Sequence, residues 1–328
     1  MIEAELSRSV VRWCPGATGA TDAAKLSGGA SQETWRFDIV HPEGPIGAIL
    51  RRAPKGYGAA PTRAAGPAAE ARLMQLAYEA GVPSPRVMHV LVPEDDLGTG
   101  FIMQRIEGET IARKILRDDE FAAARPLLAR QIGEVLAGLH GLPLSKLPEL
   151  RHMTATKEIA EFERDYRSLE WPKPVFELAL RWLRENDPGP SPEETLVHGD
   201  FRNGNLIIGS DGIRAVLDWE LAHLGDPMED LGWVCVNSWR FGEIDKPVGG
   251  FGSREEMFAG YEAAGRKVVP SRVKFWEVMG TLRWGIMCGG MMQRFREGPD
   301  HSMERAMIGR RVSETEIDLL RLLAPRGS

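Results

Sequence analysis

Residues 196–220 read LVHGDFRNGNLIIGSDGIRAVLDWE. His198, Asp200, Arg202, Asn203, Asn205 and Asp218 lie among apolar runs of strand length, TLVHGD, NLIIGS and IRAVLDW, with GSDG as a hairpin turn. Polar groups this close to a core are hydrogen-bonded, hold a ligand, or cost stability. Downstream, helical character resumes near Asp226. Upstream, ARPLLARQIGEVLAGLH sets Leu128, Ile132, Val135, Leu136 and Leu139 on one stripe of a core helix, and His140 at its end is expected to act as a C-terminal cap. Further back, ETWRFDIV and IGAILRRA read as strands joined by a turn at HPEGP, and RVMHVLV and GFIMQRI as two more. Between the pairs, AAEARLMQLAYEAG places Glu70, Leu73, Met74 and Ala77 on one helical face and is stopped by Gly81 and Pro83. The change from strand-rich to helix-rich sequence near Gly108 predicts an α+β protein of two lobes, residues 1–107 and 108–328.

With 328 residues the chain has ample material for a core. A net charge of −6 without a long Lys/Arg block argues against nucleic acid as a partner. The three cysteines, Cys14, Cys235 and Cys288, have no CxxC spacing, which argues against a disulfide framework or a thiolate zinc site and fits a reducing cytosol. The opening MIEAELSRSVVRW is not a basic region followed by an apolar one. The longest apolar stretch, VMGTLRWGIMCGGMM, is too short to span a bilayer and carries Arg283. A cytoplasmic protein acting on small molecules, without membrane contact, is expected.

Asp200, an amide oxygen five residues on at Asn205, and Asp218 just past the hairpin supply the hard oxygen ligands that Mg²⁺ takes together with phosphates. The order D-x-x-x-x-N, strand, turn, strand, D is that of phosphoryl-transfer sites of the protein-kinase type. Together, HGDFRNGN, LDWE and GDPMEDLGW resemble the signature of the aminoglycoside phosphotransferase and choline kinase-like families. Within these, the chain is most similar to the subgroup that includes the kinase-like domain fused to acyl-CoA dehydrogenases, and IGRRVSETEIDLLRLL near the end carries the same likeness. The resemblance implies a bilobal protein-kinase-like fold and transfer of a phosphoryl group from ATP, or GTP, to a hydroxyl of a small molecule, with Mg²⁺. It implies Asp200 as base, Asn205 and Asp218 as Mg²⁺ ligands, and Arg202 as a cation beside the transferred group. LSGGASQET, residues 26–34, would be the nucleotide loop, with Gly28, Gly29 and Ser31 at the phosphates. Arg51 would stand where kinases carry a phosphate-binding lysine, with Glu70 as its partner. MQRIEG, residues 103–108, would present Gln104 and Ile106 to the adenine.

Several of these residues also have structural readings. His198 reads better as a buried histidine that orients the loop than as a catalyst, and Asp226 and Asp230 better as loop ties or helix caps than as metal ligands. Glu220 is open between contact with metal or substrate and support of the groups that make it. Taken alone, Arg51 and Glu70 are equally an ordinary salt bridge, and Gly28–Gly29 a plain hairpin turn. A catalytically silent nucleotide-binding module and a Mg²⁺-dependent phosphohydrolase remain as other classes. For the acceptor, Trp276, Arg283, Trp284, Met287, Met291 and Met292 read first as core and second as a pocket wall. Arg283, Arg294, Arg296, Arg305, Arg310 and Arg311 have few compensating carboxylates before Glu314. That favours a neutral or anionic hydroxylated acceptor, such as a hydroxy acid or its CoA thioester, over an aminoglycoside or amino alcohol.

Overall fold

A computed structural model of the chain describes residues 2–26, 32–53, 63–298 and 301–324. Helix α1 (Ile2–Trp13) precedes strands β1 (Gly19–Lys25), β2 (Glu33–Val40) and β3 (Ile46–Arg52), then α2 (Pro67–Glu79), β4 (Val87–Val90) and β5 (Gly100–Gln104). These five strands form one antiparallel sheet in the order β1-β2-β3-β5-β4. Alternation along β2 sends Phe37 and Ile39 to one face, where they join Leu50, Ile102 and the α1 residues Leu6 and Val10 in a closed apolar layer. Asp95 fastens α1 over that layer by accepting from Ser9 Oγ at 2.8 Å and from His89 Nε2 at 2.8 Å, while Trp13 stacks on His89 with centroids 5.0 Å apart. The opposite face, through Ile49, Phe101 and Met103, meets Leu73, Met74 and Ala77 of α2 and continues into the main core.

The rest is mostly helical: α3 (Ala112–Arg117), α4 (Arg125–His140), α5 (Ala155–Ser168), α6 (Pro174–Glu185), then short strands β6 (Thr195–Val197), β7 (Leu206–Gly209), β8 (Gly212–Val216) and β9 (His223–Gly225). Helices α7 (Met228–Trp233), α8 (Arg254–Ala263), α9 (Pro270–Glu297), α10 (Met303–Gly309) and α11 (Val312–Leu323) follow. β7 and β8 form the expected hairpin, and β6 pairs with β9. Thr154 caps α5 by accepting from Lys157 N, and Ser253 with Glu256 builds a reciprocal capping box on α8. α4 and α8 approach closely because Gly133 has no Cβ, an atom that would lie 2.0 Å from Met257 O. The sheet connects to the hairpin through Glu109, whose N–H and C=O pair with Ile208 at 2.9 Å each. Among the described residues no helix is long and apolar enough to cross a membrane.

Candidate active site

The loop between β6 and β7 is held from behind. Asp230 on α7 accepts from the backbone N–H of His198 at 2.7 Å and of Gly199 at 3.0 Å, and His140 donates to the same carboxylate from Nε2 at 3.2 Å. Burial pushes the Asp230 carboxyl up, but these contacts more than offset it and leave it below the usual carboxylate range. His140 is therefore not the helix cap expected from its position: it is buried, and its other nitrogen meets Tyr261 Oη at 2.9 Å. Burial lowers the His198 pKa despite the nearby carboxylates, keeping the ring neutral. Its Nδ1 accepts from Asp200 N at 3.2 Å, so Nε2–H donates to Leu217 O at 3.0 Å and ties the loop to the residue before Asp218. Gly199 sits at φ +79°, and a Cβ there would lie 2.6 Å from Leu221 O. Gly199→Ala is expected to destabilise the fold by at least roughly 2 kcal/mol, read as a lower urea midpoint.

Three donors position the Asp200 carboxylate. Trp233 Nε1 at 2.9 Å and Arg202 Nε at 3.1 Å reach Oδ1, and Asn205 Nδ2 at 2.7 Å reaches Oδ2. With its amide nitrogen committed to Asp200, Asn205 keeps Oδ1 without a hydrogen-bond partner among the described residues. Its backbone C=O accepts from Leu217 N at 2.8 Å, which brings Asp218 alongside. Asp218 adopts a left-handed backbone, φ 65°, a conformation that aspartate tolerates better than bulkier residues.

From β3, Arg51 reaches across to this carboxylate. Its Nε lies 2.9 Å from Glu70 Oε1 and 3.1 Å from Gln32 Oε1, while Nη2 bonds Asp218 and lies 3.7 Å from Glu220 Oε2. Gln32 also donates to Glu70 Oε2 at 2.9 Å. One guanidinium thus faces three carboxylates. The Glu70 pKa is raised to about 7, chiefly by burial and further by Asp218 and Glu220, against the opposing pull of Arg51. Burial works against the Arg51 charge, yet the same three carboxylates hold its pKa above the ordinary value. The surplus negative charge and the unengaged Asn205 oxygen suit a divalent cation that brings phosphates with it. At the end of β5, Gln104 is exposed and its N–H is taken by Arg86 O at 2.9 Å, whereas Ile106 makes no backbone hydrogen bond to another described residue. Gly28, Gly29 and Ser31 lie outside the described residues.

Sequence reasoning missed Trp233, Gln32 and the contact that α9 makes to the Asp200 loop. Arg283 Nη2 donates to Gly199 O at 2.8 Å, and its guanidinium lies 4.4 Å from the Trp233 ring. Trp276, Arg283 and Trp284 are buried, while Met287 and Met291 line a cleft between α5 and α9. Beside Arg283, Glu158, His223 and Glu229 bring ligand-type atoms within 4.8 Å of one another. His223 directs Nε2 at Glu229 (3.0 Å) and Nδ1 at Leu221 O (2.9 Å), an arrangement that calls for a proton on both nitrogens and marks an ion pair rather than a metal ligand. Burial opposes that charge but Glu229 outweighs it and raises the His223 pKa to about 9; burial, reinforced by Glu229, raises Glu158 to about 7. Both groups hold their protons more tightly folded than unfolded. Stability should therefore fall as pH rises from the ordinary glutamate value through about 9. Urea midpoints across this range test the sign, and Glu158→Gln should flatten the acidic half.

The sequence profile of the phosphotransferase enzyme family matches residues 22–266, a span that holds Arg51, Glu70, Asp200, Asn205 and Asp218. The chain belongs to the phosphotransferase enzyme family. This phosphotransferase-family chain is 27% identical over 272 residues to acyl-CoA dehydrogenase family member 11 of Pongo abelii. The match covers 76% of the chain and about a third, 34%, of that relative's length. Among solved structures, a Ralstonia eutropha protein provisionally described as an aminoglycoside phosphotransferase aligns with a TM-score of 0.74 at 21% identity, over 97% of each chain. APH(4)-Ia, solved in a ternary complex with AMP-PNP and hygromycin B, aligns at 0.63 and 17% identity, over 98% of this chain and 99% of its own. These likenesses show the fold: the kinase-like α+β arrangement, strand-rich first and helical after, as the resemblance implied.

Proposed function

We propose that the chain is an ATP-dependent phosphotransferase that moves the γ-phosphoryl group to a hydroxyl of a small molecule. The observation that carries this reading is the Asp200 carboxylate, held by Trp233, Arg202 and Asn205, with Asn205 paired through its backbone to the residue before Asp218, which Arg51 reaches from the sheet. In it, residues 1–107 form the nucleotide lobe and 108–328 the catalytic and acceptor lobe. Asp200 orients the acceptor hydroxyl and takes its proton, with Oδ2 facing the Asn205 amide and Oδ1 fixed by Trp233. Arg202, its guanidinium 4.7 Å from the Trp239 ring, is a cation next to that proton acceptor and balances charge that develops on the transferred group. Asn205 Oδ1 and Asp218 hold Mg²⁺, which when bound supplies charge neutralisation at the phosphates. Arg51, braced by Glu70, engages phosphate oxygens in a forked geometry where a lysine would offer a point charge. Gly28, Gly29 and Ser31 cradle the phosphates, and the backbone at Gln104 and Ile106 meets the adenine.

The acceptor is a hydroxy acid or its CoA thioester, a reading supported by the excess of arginines over carboxylates between positions 283 and 311 and by the acyl-CoA dehydrogenase relative. Free cysteines at positions 14, 235 and 288 support work in the cytoplasm. The test is titration with ATP and GTP, with and without Mg²⁺, followed by transfer assays on hydroxy acids, CoA thioesters, amino alcohols and sugars. Mg²⁺-dependent binding with transfer supports the reading, and no nucleotide binding at any Mg²⁺ level overturns it. Arg51→Ala should raise the KM for ATP by about tenfold or more in steady-state kinetics, the loss expected for a charge-assisted phosphate contact. One observation favours a silent nucleotide-binding module instead: Arg51 occupies Asp218 directly. Tight ATP binding without turnover on any acceptor class would mark that reading.

A further inference from the structure

We propose that the cleft bounded by Arg113, Phe241, Met307 and Arg310 anchors the negatively charged end of the acceptor, several bonds away from the hydroxyl that receives the phosphoryl group. This deepens the proposed function and rests on it. The cleft has a volume of about 690 Å³, within the range of small-molecule sites, and lies between the segment 237–242, α3 and the α10–α11 junction. Its position follows from Trp239. That ring packs 4.7 Å from the Arg202 guanidinium and 5.2 Å from Trp233, which holds Asp200, while its neighbour Ser238 lines the cleft. The cleft thus adjoins the segment that carries Trp239, whose ring packs against Arg202 of the Asp200 loop.

The charge of the cleft is positive and only partly balanced. Arg311 Nε is paired with Glu314 at 2.9 Å, but Arg113 and Arg310 have no carboxylate partner among the described residues. Ser313, in the first turn of α11, adds the end of a helix that favours negative charge. The apolar part of the lining is unusual for a surface. Phe241 stands 36% exposed on a left-handed backbone, φ 48°, where an aromatic residue is strained, and Met307 is 66% exposed. Two unpaired guanidinium forks beside two exposed apolar side chains suit an organic anion with an aliphatic segment: the forks take a carboxylate or a phosphate, and Phe241 and Met307 cover the carbon chain.

The experiment titrates the wild-type chain and R113Q/R310Q with 6-hydroxyhexanoate, its methyl ester and coenzyme A, with Tm as a check of integrity. The wild type is expected to bind at least one anion tenfold or more tightly than the ester. R113Q/R310Q should lose that preference with its Tm unchanged. Preference for 6-hydroxyhexanoate identifies a carboxylate anchor, and preference for coenzyme A a phosphate anchor. The proposal is overturned if neither anion outbinds the ester, or if the wild type and R113Q/R310Q bind the anions alike. Because the readout is binding, anion selectivity without phosphoryl transfer would fail the proposed function and leave the anchor standing.

Discussion

Replacing Asp200 with asparagine is expected to lower phosphoryl transfer by roughly 10³-fold, the scale of losing a positioned general base, while Mg²⁺-dependent ATP binding stays within a factor of about two. The amide is nearly isosteric and still accepts through its oxygen, so one of the contacts from Trp233 and Asn205 survives and the loop remains in place. What is lost is the proton acceptor and the negative charge beside Arg202. Transfer assays paired with titration calorimetry separate the two effects. Full activity in D200N would remove Asp200 from the chemistry.

The second large effect is expected at Asp218. Asp218→Ala should abolish the Mg²⁺ dependence of nucleotide binding and weaken Mg·ATP binding by at least about tenfold, since one of two protein oxygens offered to the ion disappears. Two consequences have opposite signs. Arg51 loses a carboxylate partner and becomes more available to phosphate, and Glu70 loses a negative neighbour that keeps its pKa high. ATP in the absence of Mg²⁺ should then bind no worse than to the wild type. Calorimetry with and without Mg²⁺ resolves these contributions, and an unchanged metal response would sink the metal assignment.

Much of this arrangement was legible in the chain. β2, β3 and β5 announced themselves by apolar runs of strand length, near-continuous in β3 and β5 because both of their faces are covered, and α2 and α4 by helical stripes whose period is written in the sequence. Asp200, Asn205 and Asp218 stood out because their spacing crosses a hairpin whose turn residues are unambiguous. α1 was not foreseen. Leu6 and Val10 are its fully buried apolar residues, and a serine, Ser9, sits between them at the packing surface, where its hydroxyl donates to Asp95 from 86 residues away and accepts from Trp13 Nε1. The role of His140 was misread for the same reason: a helix-terminal histidine suggests a local cap, and nothing nearby in sequence points to Asp230. Nothing in the sequence singled out Trp233, a core residue whose one polar atom is spent on Asp200. Long-range partnerships of this kind leave no period and no spacing to read.

Arg51 is rooted in the sheet at β3 and grips Asp218 beside the helical part, so a single side chain works as an interlock between the two halves of the protein. On the proposed reading, the cation and the guanidinium compete for one carboxylate, and the ion binds best in chains in which Arg51 has released Oδ1. The measured nucleotide affinity then reports two equilibria, release and capture, and is weaker than the intrinsic contact by the fraction of released chains. Ionic strength acts on both with opposite signs: salt loosens the resting pair while it screens the incoming phosphates, which makes nucleotide binding less salt-sensitive than the charge count alone suggests.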